Sequence, residues 1–409
     1  MSTNDDPFFS LGQSSTWNAC IGKQAFDENY VDGYTDAALL LAETLIREKM
    51  FGSRDTIVFP ILYNARHGIE LTLKYLIKRL GEIGVAQGAP RVDHDILAHW
   101  QFLMGQPFGD ETLRQLLASL EPFIRSLSNI DDDGQSFRYS ELRGGQMSLG
   151  QHSLASIELI RDSLRELRTI LEKLKHRLWD IEEERKTGTF TAECSRLDLK
   201  AIAEALPDRE NWKSDAFTEA RAAMMARFNL SSRKFSMALG KIQEGRELKL
   251  LIGVQSELAH LTDEHVELVV EQWCRLHPDR EPKNDDLGLD YFGRNFEELF
   301  NKDDATEEVM SLLLNRLSHD EIADIDTLFG MGRDVRYGEH YEAMLADNKR
   351  AHAVTNDLWV NLNHVLSKRS FAHEFAKGLE RVGRPDLAQT VRTIADGDHR
   401  ARTCGDARG

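Results

Sequence analysis

The sequence predicts an all-α fold: a helical bundle followed by a second, irregular helical domain. Three observations carry this. Only nine prolines punctuate 409 residues, too few for the turns that a sandwich, barrel or propeller needs. Apolar residues recur three and four apart at Ile61, Ala65, Ile69, Leu73, Leu76, Ile77 and Leu80, one stripe of a helix. A narrower seam with the same spacing runs through Ile157, Ile160, Leu164, Leu167, Leu171, Leu174 and Leu178.

Taken in order, residues 1–30 read as an irregular segment rich in Ser, Asn and Asp. A helix starts at Thr35 or Asp36, carries AALLLAETLIREKM, and is broken by Gly52 and Ser53. The next opens at Pro60, a residue suited to a first turn, and runs to Leu80. After a loop over 81–90, helices are predicted at 94–104 and 111–124. Asp131-Asp132-Asp133-Gly134 is a turn, and 136–152 is irregular. The seam helix follows and ends in a polar run at 182–186; Gly188 marks the boundary, which makes 31–187 the bundle. The second domain, 189–395, holds predicted helices at 196–206, 214–228, 231–243, 246–260 and 263–276, the last capped by Thr262. Residues 279–288 read as a linker and a sub-boundary. Ser318-His319-Asp320-Glu321 is a capping box opening a helix to Phe329. A loop over 330–338 precedes helices near 339–352, 356–369 and 371–382, and 396–409 is predicted to be a disordered tail.

Lys and Arg number 51 against 68 Asp and Glu, a net charge of −17. That excludes broad electrostatic capture of nucleic acid or anionic lipid, while leaving room for a local basic patch. The opening residues show no basic and apolar leader pattern, and no apolar run is long enough to cross a bilayer, so a cytoplasmic protein is expected. Cys20, Cys194, Cys274 and Cys404 form no CxxC pair and read as free thiols, and neither metal nor cofactor is expected.

Chemistry is concentrated first at Arg66, His67, Glu70 and Lys74. Arg66–Glu70 and Glu70–Lys74 are i, i+4 pairs, so one carboxylate sits between two cations, and His67 lies one turn from Glu70. Such a stripe serves either as a charged rim where two helices meet or as an Arg/His pair that binds a phosphate and moves a proton. NARHGIELTLKYLIK on this helix, then HDILAHW, then FRYSE before the seam helix, together resemble the HEPN superfamily. These are bacterial and archaeal all-α domains of toxins, abortive-infection proteins and phage-defence effectors. The resemblance covers about residues 30–180. It implies a dimerising bundle and, in active members, a metal-independent endoribonuclease. Its Arg and His have four to six residues between them near the start of the last long helix; the His acts on the ribose 2′-hydroxyl and the Arg on the phosphate. Here Arg143 and His152 have eight residues between them and Arg138 lies further away. The resemblance therefore implies either a site assembled from Arg66 and His67 with Arg138 and Tyr139, or a member that has lost the motif and acts as a binding module.

A second candidate, Arg333 and His340, has the six-residue spacing, with Tyr337 and Tyr341 placed to stack on an unpaired base. Arg392 and His399 match the spacing too, in the tail. Gly330-Met331-Gly332-Arg333 is no dinucleotide fingerprint, since no strand precedes it. His94 and His99 are i, i+5, wrong for two metal ligands on one helical face, and read as capping or core residues. FNLSSRKFSMALGKI, 228–242, has the outline of a helix-turn-helix with Arg233, Lys234 and Lys241 as a small basic patch. The expected turn glycine is missing, which argues against DNA reading. The expected function is a stress- or phage-defence protein that binds and cuts RNA and forms a homodimer through the seam. The alternative is a non-catalytic interaction module or sensor subunit with a partner protein in a defence or toxin–antitoxin system.

Overall fold

The computed structural model describes residues 8–9, 15–24, 26–88, 90, 93–131, 136–139, 141, 149, 153–278, 296–333 and 337–403, with backbone only for 296–304 and 398–403. The turn at 132–134, the Arg143/His152 pair and the linker at 279–288 lie outside them. No strand occurs among the described residues, so the chain is all-α, and no helix is long and apolar enough to cross a membrane. The chain divides into two compact units, 1–182 and 183–409.

The first unit contains α1 (Asp27–Arg47), α2 (Arg54–Glu82), α3 (Ile96–Met104), α4 (Glu111–Ser119), α5 (Glu121–Ile130) and most of α6 (Ile157–Thr187). Helix α1 starts eight residues before Thr35: Asn29 Oδ1 accepts from the Phe26 amide at 2.8 Å, and Asp27 and Glu28 place negative charge in the first turn. Helix α2 starts before Pro60, which sits inside it; a helix of 29 residues absorbs the one missing ladder bond. Helices α1 and α2 pack on each other. A Cβ on Gly68 would stand 2.3 Å from Thr35 Oγ1, so the backbones meet there. The α6 seam faces inward: Leu164, Leu167, Leu171, Leu174 and Leu178 are all buried in the unit's own core with Ile61, Ile69, Leu73 and Leu76. It is therefore spent within the chain and gives no support to the expected dimer. Its polar flank ties down α1 through Lys175–Asp32, Arg168–Asp36 and Arg165–Glu43, at 2.5, 2.8 and 2.7 Å.

The second unit has two cores. The first joins α7 (Arg196–Ala205), α8 (Asp215–Arg227), α9 (Ser232–Glu244) and the short α10 (Arg246–Leu250). The helix expected over 246–260 is only these five residues, because the chain turns out at Gly253, where φ is +74°. The second core joins α11 (Asp263–Leu276), α12 (Phe296–Arg316), α13 (His319–Arg333), α14 (Tyr341–Thr355), α15 (Leu358–Leu366), α16 (Phe371–Arg381) and α17 (Pro385–Thr403). The Thr262 cap and the Ser318/Glu321 box form as expected. The second core departs from the sequence reading at three places. Helix α12 was not foreseen, although Val309, Met310 and Leu313 bury one of its faces. Helix α13 continues through Gly330–Arg333, predicted as a loop, and α17 continues to Thr403, into the predicted tail.

Candidate functional site

Arg66 lies on the face of α2 that turns toward the segments before α3 and after α5, and it is 2% exposed. Its Nε donates to the Asp131 carbonyl at 2.8 Å, one terminal nitrogen to Glu70 Oε2 at 3.1 Å, and the other to the His94 carbonyl at 2.6 Å. Asp131 Oδ2 stands 3.7 Å from the same guanidinium, while its Oδ1 accepts from the Ser136 amide. The Arg66–Glu70 pair, read from sequence as a charged rim or as part of a phosphate-binding site, is a buried brace holding two chain segments against α2. Arg66 offers no surface to a phosphate.

Glu70, also 2% exposed, is the centre of the charge cluster. Its Oε1 accepts from Lys74 Nζ at 2.7 Å and lies 2.9 Å from His94 Nδ1, and Oε2 faces Arg66 and, at 3.9 Å, His67 Nδ1. Burial alone pushes its carboxyl up. His67, Lys74 and His94 together outweigh burial and hold it far below the usual carboxylate range. A group so depressed contributes stability above its ordinary value near 4.5, and the contribution is lost as pH falls from there toward the folded value. Acid titration of the wild type followed by circular dichroism is therefore expected to show first-unit stability declining below about pH 4.5. Glu70→Gln should flatten that decline.

The accessible part of the site starts at His67. Its ring stacks on Tyr63 (centroids 5.6 Å apart, 12° between planes) and takes Tyr34 edge-on at 4.4 Å. The Arg138 guanidinium lies 5.6 Å from the Tyr63 ring and 5.7 Å from the Tyr139 ring. Arg138 and Tyr139 are exposed, Tyr139 by 58%. The structure so joins His67, Arg138 and Tyr139 into one chain of stacked rings and cation, with Lys74 of α2 and His94 of the segment before α3 both held on Glu70. Tyr63, four residues before His67 on α2, was readable from helical spacing; Tyr34 and Asp131 come from other segments and carried no local signal.

The Arg333/His340 candidate is not assembled. Arg333 ends α13 and lies over the Phe329 ring at 5.7 Å, whereas His340 Nε2 pairs with Glu183 at 3.1 Å. No contact joins them among the described residues. Tyr341, expected to stack on a base, is fully buried; its hydroxyl donates to Asp324 Oδ1 at 2.6 Å and accepts from the Ala259 amide at 2.8 Å. Burial first, and the Asp324 carboxylate second, push its phenol far above the ordinary range. Tyr337 packs under the Arg196 guanidinium, 4.2 Å from its ring, and Arg196 is itself held by Glu339 at 2.9 Å and by Glu247. These residues lock the 337–340 segment to α7 and α10. His99 is buried, with Nδ1 2.5 Å from the Asp95 carbonyl, and Asp95 caps α3. Arg392 pairs with Glu380 at 2.6 Å. Burial pushes the Cys194 thiol up to about 12, which leaves it inert as a nucleophile. No family model, curated protein or solved structure matches this chain.

Proposed function

We propose that the first unit binds unpaired RNA on the face built by Tyr63, His67, Arg138 and Tyr139, as a HEPN-like binding module in a bacterial stress or phage-defence setting. The observation supporting this is the run of aromatic rings and guanidinium from Tyr34 to Tyr139, partly open to solvent at its Tyr139 end. Unpaired bases stack on such rings irrespective of sequence, and the Arg138 guanidinium supplies positive charge beside them for the backbone. Duplex RNA hides its base faces and does not suit the site. Binding is favoured over cleavage because Arg66, the arginine next to the histidine, is fully engaged in the buried brace. Arg138→Ala and Tyr139→Ala are each expected to weaken binding of a labelled unpaired oligoribonucleotide roughly 5- to 150-fold, from about 1–3 kcal/mol per stacked base. Fluorescence anisotropy of the full chain reads this. Equal affinities for wild type and both variants would overturn the assignment. Chelator-resistant cutting of the oligonucleotide that His67→Ala abolishes would instead make the face a ribonuclease site.

A further inference from the structure

We propose that α7, α8 and α9 form a helix-turn-helix whose α9 enters the major groove of duplex DNA, a second nucleic-acid site independent of the face on the first unit. Helices α8 and α9 are joined by four residues, Phe228, Asn229, Leu230 and Ser231, and each packs on α7. That is the connection length of the motif. The glycine its turn ordinarily uses is replaced by Asn229, with φ at +51°. Asn is the residue that most readily takes this left-handed conformation after Gly, so the sequence objection to the motif disappears. Leu230 turns inward from the connection, and Phe235, Ala238 and Ile242 bury the inner side of α9 against Leu199, Ile202 and Ala203 of α7.

The outer side of α9 is left open. Ser232, Arg233, Ser236 and Met237 are exposed, and Gly240 continues the same face, with nothing within 4 Å of where its Cβ would be. The short residues Ser232, Ser236 and Gly240 of this face let the helix axis come close to a groove about 12 Å wide. Ser231 caps α9 through the Lys234 amide, and Ser214 caps α8 through the Phe217 amide, so both helices present their N-terminal ends with hydroxyls attached. Charge favours DNA over a protein partner. From Lys213 to Lys241 there are six Lys/Arg and two Asp/Glu, in a chain of net charge −17. Lys213 and Arg233 are exposed and make no ion pair among the described residues; Lys234 and Lys241 are held by Glu193 and Glu244 at 3.0 Å. Arg233, in the first turn of α9, is placed for a guanine edge or a phosphate, and Lys213 for a phosphate. An RNA duplex does not fit, because its major groove is too narrow and deep for a helix.

The test is anisotropy of the full chain with a mixed-sequence 30-base-pair DNA duplex at about 50 mM salt, beside an RNA duplex of the same sequence. The expected result is binding of the DNA alone, with log K falling linearly as log salt rises. Arg233→Ala should weaken it about tenfold and lower the salt slope by roughly one. Gly240→Glu, which meets open space in an exposed helix, should leave the melting curve intact and abolish binding. His67→Ala and Arg138→Ala should leave DNA binding unchanged. No salt-dependent DNA binding, equal binding of both duplexes, or wild-type affinity in both Arg233→Ala and Gly240→Glu overturns the proposal.

Discussion

Arg66→Ala is expected to destabilise the first unit by about 3–5 kcal/mol, the cost of removing one partner of a buried ion pair. Thermal unfolding should show a drop on the order of 10 °C in that unit's transition. The magnitude follows from what is left behind: the Asp131 and His94 carbonyls lose their donor, and Glu70 keeps only Lys74 and the two histidines. A surface rim pair of the same two residues is worth about 0.3 kcal/mol, so the measurement separates the two readings of the stripe by an order of magnitude. Arg66→Lys should recover little, since an ammonium cannot reach three acceptors that diverge as the fork of a guanidinium does. A loss below about 1 kcal/mol for Arg66→Ala would contradict the buried brace.

The second large effect belongs to the crossing of α13 and α16. A Cβ on Gly332 would lie 1.7 Å from the Glu374 carbonyl oxygen, and one on Gly378 would lie 1.9 Å from that of Leu328. Both obstacles are backbone, so neither can rotate away, and the helices must separate along a contact that also packs Phe329, Phe371 and Phe375. Gly332→Ala and Gly378→Ala are each expected to cost about 1–3 kcal/mol or more, despite the better helix propensity of alanine. Gly33→Ala, on α1 with open space around it, is the control and should stabilise by about 0.5–1 kcal/mol. The two costs should add poorly in the double variant, because either alone opens the same crossing. Chemical denaturation monitored at several wavelengths reads all four variants.

The same glycines show where sequence reading stops. A loop was expected at 330–338 because Gly330 and Gly332 look like breakers, yet Gly332 brings two helix backbones together, and that need is set by α16, some forty residues on. Periodic apolar stripes were legible wherever one helix buries one face, as in α2, α6 and α11, and caps were legible at Thr262 and Ser318. The seam of α6 was legible as a seam, but whether its partner was the same chain or another copy is decided by long-range packing. At the site, i, i+4 spacing revealed the Arg66, Glu70 and Lys74 cluster but not its depth, which comes from Asp131 and His94 closing over it. His67 and Arg138 stand 71 positions apart in sequence, and their meeting at Tyr63 depends on how 136–139 returns to α2. At Arg333 and His340 the spacing was present and the geometry absent, since the last turn of α13 and the start of α14 each bind their own partners.

Photocrosslinking tests whether the first unit takes unpaired RNA on its tyrosine–histidine–arginine face. A bromouridine-substituted oligoribonucleotide is irradiated with the full chain, and the linked peptides are identified by mass spectrometry. Crosslinks to Tyr139 and Tyr63 are expected, lost on competition with unlabelled single-stranded RNA and retained against an RNA duplex. Crosslinks confined to peptides from the second unit, or none at concentrations where anisotropy reports binding, would contradict it.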